Sequence, residues 1–355
     1  MAILHKSGIF LCIICHFSPR FAVDFAQLVR YNLSSTEKQP QLCGGMEITM
    51  PKILTVSSAN MDFVMKMPSV PKAGETLISP DTFSYVPGGK GANSAVAFAR
   101  LGGESIFCTR LGCDANGDAL FAIYNKEGIN TDFISRDPAS ATGLAAILVE
   151  GSGANRIIVY PGANMTIEDH CIEKAISLDP DALYMQLEIS KESVVFAANE
   201  AARRGIPVFI DAGPADPDFP FSKLPRLEVF SPNESETEIL TGIFPESEES
   251  CAEAAKKLAA LVDSHYYVIK LGGRGCYVTD LESSFTAPGF SVSAIDTTAA
   301  GDSFTAALTL EYLRTGDIRA AARFANAVGA IVVGRAGALP SIPTKAEVEH
   351  FLQSR

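Results

Sequence analysis

The 355-residue sequence lacks any apolar run of the roughly 18 residues that are needed to span a bilayer. It also lacks clusters of Lys and Arg: 29 basic residues stand against 41 acidic ones, and the formal net charge is −12. Membrane-spanning and nucleic-acid-binding functions are therefore not expected. The 28 Gly and 20 Pro follow no period, and 47% of the residues are hydrophobic. This composition excludes fibrous and disordered chains and is typical of a globular protein.

Disulfide and zinc frameworks are missing as well. The eight cysteines are scattered, and a chain of this length needs no disulfides for stability. They are interpreted as reduced thiols, which predicts a cytoplasmic location. The five His residues show no paired spacing that would predict a zinc site.

The N-terminal segment differs from the rest in charge. Its first 45 residues hold four basic and two acidic residues, although the whole chain is acidic. We expect residues 1–49 to be an extension that is disordered, targets the chain to an organelle, or results from a misassigned start. Met46 and Met50 are the alternative start positions.

From residue 50 onward, short β-rich apolar runs alternate with stretches of helical spacing. The predicted strands are 53–56, 106–109, 182–185, 208–211, 229–231 and 267–271, and the predicted helices include 94–101, 191–204, 248–262 and 303–314. This alternation predicts an α/β fold with an open, mostly parallel sheet that is covered by helices on both faces.

Two stretches, within about residues 62–87 and 142–161, carry β-rich sequence without helices. The second reads as a hairpin with its turn at 150–155. Together they predict a small β-sheet lid over an active site. We expect Val64, Leu144 and Ile147 to be exposed on this lid and to be covered by a second copy of the chain.

The segment 296–304 reads Asp-Thr-Thr-Ala-Ala-Gly-Asp-Ser-Phe, between strand-like residues 290–295 and a helix. Small residues at a helix N-terminus leave N–H groups open to an anion, and the helix dipole favours negative charge there. The sequence is compatible with two roles for Asp302. It stabilises the helix end, or it acts as a base beside an anion pocket, as phosphoryl transfer requires.

Two further glycine-rich segments are Pro-Gly-Gly-Lys-Gly-Ala-Asn at 87–93 and Lys-Leu-Gly-Gly-Arg-Gly at 270–275. The first is not a Walker A loop, because Lys90 is followed by Gly91, and it lacks the dinucleotide pattern. Each segment alone is also compatible with a simple turn.

In combination, residues 88–93 and 296–302 resemble the two signatures of the PfkB family of carbohydrate kinases. Four further features of the family are present in order: Asn-Met-Asp at 60–62 before the first signature, and Gly-Ala-Asn at 162–164, Gln-Leu-Glu at 186–188 and Pro-Asn-Glu-Ser-Glu at 232–236 between the two signatures. The resemblance covers residues 50–345, the predicted kinase domain, and leaves 346–355 as a C-terminal helix end.

The resemblance implies an ATP-dependent sugar kinase, similar to members that phosphorylate the 5-hydroxyl of D-ribose to give D-ribose 5-phosphate. Asp302 matches the general base, and Ala299, Ala300 and Gly301 match the anion hole. The matched sugar-binding positions are Asn60, Met61, Asp62, Gly89, Lys90, Gly91, Ala92, Asn93, Glu188 and Asp302. The matched ATP-binding positions are Asn233, Lys270, Leu271, Gly272, Gly273, Arg274, Gly275, Gly301, Asp302 and Asn326.

The resemblance also implies two metal ions and a homodimer. Glu236 would hold Mg²⁺ through water, although Asn233 and Glu236 also have the spacing of a helix capping box. A K⁺ activator would be held, mostly by backbone carbonyls, at Asp296, Thr298, Val332, Arg335, Gly337 and Ser341. The implied partners are D-ribose, ATP and a second copy of the chain through the β lid.

Two departures from the family pattern leave the sugar open. Ser57 stands where Gly is usual, and Lys270 stands where Thr is common. The Lys270 ammonium either reaches the ATP phosphates or lies in solvent. A related kinase for deoxyribose, fructose or a nucleoside is one alternative. A non-catalytic sugar-binding regulator is the other, and it would be expected to lack Asp302 or the small residues before it.

Overall fold

Two sheets organise the fold, and their strands are short runs rich in β-branched and aromatic residues. The computed structural model describes residues 50–79, 82–152 and 154–355, so the predicted extension over 1–49 lies outside the described residues. The strands are β1 Lys52–Val56, β2 Asn60–Met67, β3 Phe83–Gly88, β4 Glu104–Gly112, β5 Ile134–Asp137, β6 Gly143–Glu150, β7 Asn155–Tyr160, β8 Ala182–Met185, β9 Val208–Asp211, β10 Leu227–Ser231, β11 Ser264–Lys270, β12 Gly275–Thr279 and β13 Ser284–Pro288.

Helices separate most of the strands of the larger sheet. They are α1 Lys90–Arg100, α2 Ala115–Lys126, α3 Asp169–Ile176, α4 Lys191–Arg203, α5 Glu234–Thr241, α6 Glu248–Leu261, α7 Ala300–Thr315, α8 Ile318–Val333 and α9 Lys345–Gln353. Among the described residues, no helix has the length and apolar character that a membrane span requires.

The larger sheet has nine strands in the order β13-β12-β11-β10-β9-β8-β1-β4-β5. The strands from β11 to β5 pair in parallel, and β12 and β13 form an antiparallel edge. Side chains alternate between two buried faces. Phe209 packs with residues of α1, α7 and α8, whereas Val208 and Ile210 pack with α3, α4 and α6. The predicted mostly parallel sheet with helices on both faces is confirmed.

The predicted elements of this sheet agree closely with the structure. The strands expected at 182–185 and 208–211 are β8 and β9, and the helices expected at 191–204 and 248–262 are α4 and α6. The prediction of a strand at 290–295 was wrong, because these residues form no strand. The ladder between β12 and β13 ends at Pro288, and the next residues find no strand to pair with; they line a cavity instead.

The smaller sheet has four strands in the order β3-β2-β6-β7. Strands β6 and β7 form the predicted hairpin, and β2 pairs with β6 in parallel. The predicted small separate sheet is therefore confirmed. Strand β2 begins four residues after the end of β1, so the small sheet grows directly from the centre of the large one.

The exposed residues of the small sheet differ from those expected. Val64, Leu144 and Ile147 are half-buried, because β2 and β6 are the inner strands and their neighbours shield them. The exposed apolar side chains lie on the outer strands β3 and β7: Phe83, Tyr85, Ile157, Ile158, Val159 and Tyr160.

Candidate active site

The site lies where the carboxyl ends of the central parallel strands meet the N-termini of α1 and α7. Strand β1 leads to Asn60 and Asp62, β8 is followed by Glu188, and Asp302 lies in the first turn of α7. Ligands of open α/β sheets bind outside the carboxyl ends of the strands. The fold therefore brings residues from distant parts of the chain to the edge where a site is expected.

Asp302 is buried, with 7% of its surface exposed. Its Oδ2 accepts a hydrogen bond of 2.8 Å from Asn93 Nδ2, and Lys90 Nζ lies 4.0 Å from its Oδ1. Burial raises the pKa of the Asp302 carboxyl, and the charge of Lys90 opposes this rise. The Asp302 carboxylate in turn raises the pKa of Lys90. A buried carboxyl group with a raised pKa accepts a proton more readily, and the adjacent ammonium favours its charged form, so the group is suited to act as a general base.

The residues before Asp302 form a cradle of backbone N–H groups. Ala299 caps α7 with a left-handed backbone, at φ 62°. The N–H groups of Ala299, Gly301 and Asp302 find no acceptor among the described residues, whereas that of Ala300 donates to Thr297 O at 3.2 Å. Free donors at a helix N-terminus bind anions. Of the three predicted anion-hole residues, Ala299 and Gly301 thus have free N–H groups, and Asp302 adds a third.

The segment before α1 approaches the start of β2 closely. A Cβ on Gly89, which has φ 88°, would lie 2.7 Å from Asn60 N, and a Cβ on Gly91 would lie 2.5 Å from Ser57 Cβ. Only glycine permits this approach. It places Gly89 against Asn60, so the two predicted sugar-binding segments lie side by side.

Polar side chains hold the other sugar-binding positions in place. Asn164 Nδ2 donates to Asn60 Oδ1 at 2.7 Å, and Asn164 Oδ1 accepts from Ala59 N at 2.9 Å. Glu188 Oε2 accepts hydrogen bonds from Ser58 Oγ at 2.5 Å and from Lys90 N at 3.1 Å. These contacts leave the outer side of the pocket to a ligand.

The Asn93 side-chain oxygen and the Asp62 carboxyl group of this pocket have no hydrogen-bond partner among the described residues. Asn93 Oδ1 is buried and accepts no hydrogen bond from the described residues. Burial, together with the carboxylates of Glu188 and Asp302, raises the pKa of Asp62 to about 7. An unpaired buried acceptor is costly, and a ligand hydroxyl would supply the missing donor. The predicted Met61 and Ala92 are instead packed in the core and contribute only backbone at this position.

A cavity of about 770 Å³ adjoins the anion hole on the other side. Of the predicted ATP-binding residues, it is lined by Asn233, Lys270, Gly272, Gly273, Gly275, Gly301 and Asn326. Leu271 is buried beneath it, and the Arg274 guanidinium is turned away, because it binds Glu234 Oε1 and the carbonyls of Pro245 and Glu246. Asn326 Nδ2 donates to the carbonyls of Ala287 and Pro288 and so fixes the wall of the cavity.

The Lys270 ammonium does not lie in solvent, which was one of the two expectations for it. Its side chain is 9% exposed, and Nζ lies 2.5 Å from Asp211 Oδ2. Lys270 faces the cavity beside Gly301.

Asn233 and Glu236 form the capping box of α5. Asn233 Oδ1 accepts from Glu236 N, and Glu236 Oε2 accepts from Asn233 N, both at 2.8 Å. Burial raises the pKa of Glu236, and the charge of Lys270 opposes the rise. Oε1 of Glu236 accepts no hydrogen bond from the described residues. A free carboxylate oxygen next to the cavity fits Mg²⁺ held through water.

Asp296, Thr298 and Gly337 of the predicted K⁺ site are joined by hydrogen bonds, whereas the carbonyl of Val332, which lies in α8, already accepts from Arg335 N at 3.0 Å. Asp296 Oδ1 accepts from Thr298 N and Thr298 Oγ1, and its Oδ2 accepts from Gly337 N at 2.9 Å. The carbonyls of Thr298, Arg335 and Gly337 accept no hydrogen bond from the described part of the chain. The side chain of Arg335 binds Glu347, and Ser341 Oγ donates to Ala338 O. Free carbonyls beside a carboxylate are suitable ligands for a monovalent cation.

Comparison with known proteins agrees with this geometry. The family model described as pfkB family carbohydrate kinase matches residues 50–345. The chain belongs to the PfkB family of carbohydrate kinases. Ribokinase of Haemophilus influenzae is 37% identical over 309 residues, which cover 86% of this chain and 99% of the relative. Deoxyribokinase of Salmonella typhi is 31% identical, over 84% of this chain and 98% of the relative.

Solved structures of two ribokinases have the same fold. The structure of Arabidopsis thaliana ribokinase complexed with ribose and ATP superposes with a TM-score of 0.79 at 30% identity, and covers 86% of this chain and 99% of that one. Ribokinase from Thermotoga maritima superposes with a TM-score of 0.75 at 35% identity, over 86% and 100% of the two chains. The fold is thus the ribokinase-like α/β fold, and the predicted sugar kinase class is confirmed.

Sequence reasoning missed several residues of this PfkB site. Asp211 and Thr305, which contact Lys270, carried no motif. The part of the cavity wall that α8 forms could have been predicted from the sequence. One face of this helix carries the lining residues Asn326, Gly329, Ala330 and Val333. Small residues on one face of an amphipathic helix favour close approach of a ligand.

Proposed function

We propose that the protein is an ATP-dependent kinase that transfers the γ-phosphoryl group to the 5-hydroxyl of D-ribose. The observation that carries the proposal is the position of Asp302. Its carboxylate lies between the unpaired acceptor of Asn93 on the sugar side and the free N–H groups of Gly301 and Asp302 on the nucleotide side.

The geometry suits in-line transfer. Asp302 takes the proton of the attacking hydroxyl, the hydroxyl oxygen forms a bond to the γ-phosphorus, and the bond to the ADP oxygen breaks with its electron pair. The N–H groups of Gly301 and Asp302 stabilise negative charge on the transferring phosphoryl oxygens. The Lys90 ammonium favours the charged form of Asp302 before the transfer.

Metal ions complete the proposal. Bound with ATP, Mg²⁺ would neutralise phosphate charge, and Glu236 would hold it through water. K⁺ at the cluster of Asp296, Thr298 and Gly337 would order the loop that carries the anion hole. These assignments rest on the free Oε1 of Glu236 and on the free carbonyls of Thr298 and Gly337 beside the Asp296 carboxylate.

A homodimer through the small sheet is the second part of the proposal. All six residues of β7 are exposed, among them the consecutive Ile157, Ile158 and Val159, which point to both faces of the strand. Exposed apolar side chains on both faces of an edge strand favour a partner strand or sheet. A second copy presenting the same face would cover them. The cytoplasm, where ATP is supplied, is the compartment we propose for this activity.

A coupled assay that detects ADP tests the function. It is run with D-ribose, 2-deoxy-D-ribose, D-fructose and adenosine, each with and without K⁺. We expect the highest kcat/KM with D-ribose. The relative from Salmonella typhi makes 2-deoxy-D-ribose the second candidate. A preference for fructose or adenosine would contradict the proposed substrate, and no turnover with any of the four would contradict the kinase function of this site.

A further inference from the structure

The Lys270 ammonium forms a buried charged group beside the anion hole. Nζ lies 2.5 Å from Asp211 Oδ2 and 3.3 Å from Thr305 Oγ1. Thr305 Oγ1 also bonds Asp211 Oδ2, at 2.6 Å. The side chains of Lys270 and Asp211 are 9% and 4% exposed. Because removing two charges from water is costly, such a pair needs either excellent geometry or a further function.

The strand register explains how the pair forms. Strand β9 ends at Asp211 and β11 ends at Lys270, and β10 lies between them. Phe209 and Val268 belong to the same core cluster, so the period of two puts Asp211 and Lys270 on that same face of the sheet, beneath α7. The Lys270 side chain crosses β10 to reach Asp211, and Thr305 of α7 closes the group from above.

The free side of the ammonium faces the nucleotide cavity. Lys270 lines this cavity together with Ala300 and Gly301, and a Cβ built on Gly301 would lie 3.8 Å from Lys270 Nζ. An ammonium donates three hydrogen bonds. Asp211 and Thr305 accept two of them, and the third donor remains for a group beside Gly301.

Charge balance points the same way. The acidic side chains around the site outnumber the ammonium groups of Lys90 and Lys270: they are Asp62, Glu188, Asp211, Glu236 and Asp302. Lys90 is engaged with Asp302 on the sugar side, and Arg274 is bound elsewhere. A triphosphate entering this acidic site meets the Lys270 ammonium where its terminal phosphoryl group must lie.

We infer that the Lys270 ammonium binds the transferring phosphoryl group of ATP and stabilises its charge during transfer, with Asp211 as the positioning residue. Asp211 fixes the direction of the ammonium, and Thr305 fixes Asp211. The inference rests on the proposed kinase function and adds two residues to its machinery.

Four variants test it: Lys270→Met, Asp211→Asn, the double variant of both, and Lys223→Met, which removes an exposed Lys as a control. We measure kcat, KM for ATP, the melting temperature, and the Kd values of ADP and of AMP-PCP, a non-hydrolysable ATP analogue. Lys270→Met is expected to lower kcat by about 100-fold or more, as loss of one transition-state donor does. It should raise the Kd of AMP-PCP at least tenfold and change the Kd of ADP by no more than about twofold, since ADP lacks the terminal phosphoryl group.

The double variant separates this role from a structural one. Lys270→Met alone leaves the Asp211 carboxylate buried and unpaired, so its melting temperature should fall, and the double variant should recover it. If kcat recovers as well, the pair is only structural and the inference is wrong. A Lys270→Met variant with the kcat of the wild type would overturn it equally. Asp211→Asn should lower kcat less than Lys270→Met does.

The binding measurements keep this test separate from the proposed function. If the wild type turns over none of the four sugars and nucleosides, the proposed function fails. The ratio of the AMP-PCP and ADP Kd values still reports whether Lys270 contacts the terminal phosphoryl group. An unchanged ratio in Lys270→Met would overturn the inference even in an active kinase.

Discussion

Asn93 Nδ2 lies 2.8 Å from Asp302 Oδ2, although the two residues are 209 positions apart in the chain. The bond joins the first turn of α1 to the first turn of α7, and the contacts between these two helices are part of the core. It also determines the orientation of the Asn93 amide, whose oxygen finds no donor among the described residues. One hydrogen bond thus positions the proposed base and prepares an acceptor for the sugar.

Asp302→Asn should abolish phosphoryl transfer and preserve sugar binding. The amide cannot take the hydroxyl proton, and general-base catalysis contributes about 10²- to 10⁴-fold. The coupled assay measures the loss of kcat, and calorimetry measures the Kd of D-ribose. Asp132→Asn, which changes an exposed Asp far from the site, is the matched control. Turnover near the wild-type rate in Asp302→Asn would refute the assignment of the base.

Asp62 should make the sugar-free protein less stable as the pH rises. Burial raises its pKa from 3.8 to about 7, so the folded state holds a proton that the unfolded state releases at lower pH. The stability that this proton contributes is fully present below pH 4 and is lost as the pH rises to about 7. Asp62→Asn carries no titrating group at this position.

Thermal unfolding at pH 5 and at pH 8 checks the prediction. The fall in melting temperature between the two values should be smaller in Asp62→Asn than in the wild type and in the control Asp132→Asn. An equal fall in all three proteins would show that Asp62 titrates as an ordinary exposed carboxyl.

Replacing K⁺ with choline should lower kcat several-fold. Burial by itself would raise the pKa of Asp296, but hydrogen bonds from Thr298 and Gly337 outweigh it and hold the pKa below its usual range, so the carboxylate is charged at neutral pH. Asp296→Asn removes the negative charge of this loop and should abolish the response to K⁺. Rates are measured at constant ionic strength, and a rate that is the same in both salts would remove the cation from the proposal.

Ile158→Asp should convert a dimer into a monomer. Ile158 is 68% exposed on β7, and a carboxylate in the centre of an apolar contact between two copies would be desolvated without a partner. Sedimentation velocity at several concentrations measures the change in mass. Lys72→Asp, which changes an exposed residue outside the strands, serves as the control. A wild-type chain that sediments as a monomer at all concentrations would contradict the homodimer.

The fold was largely predictable because its signals are local. Alternating runs around β8, β9, α4 and α6 identified the α/β class, and the turn after Glu150 identified the hairpin. The stretch at 290–295 has the same β-rich composition without a neighbouring strand, and pairing is a tertiary property that composition does not contain. The expected exposure of Val64 was wrong for the same reason, because exposure depends on which strands lie at the edge of the sheet.

The site was predictable where motifs carried it and not elsewhere. Gly89 and Gly91 occupy positions where a Cβ would collide with residues 57–60, and the small residues at 299–301 belong to the second signature of the family, so the sequence reveals them. Asp211 and Thr305 are ordinary residues at a strand end and within a helix. Their contact with Lys270 depends on the order of β9, β10 and β11, which local sequence does not specify.

Strand β2 connects the proposed sugar pocket to the small sheet. Its first residues, Asn60 and Asp62, face the sugar pocket, and its remaining residues form the centre of the small sheet. A ligand that fixes the start of this strand also restricts the rest of it, which pairs directly with the outer strand β3 and is connected through β6 to the outer strand β7. Binding and association are then linked equilibria: sugar should tighten the dimer by the same factor by which dimerisation tightens sugar binding.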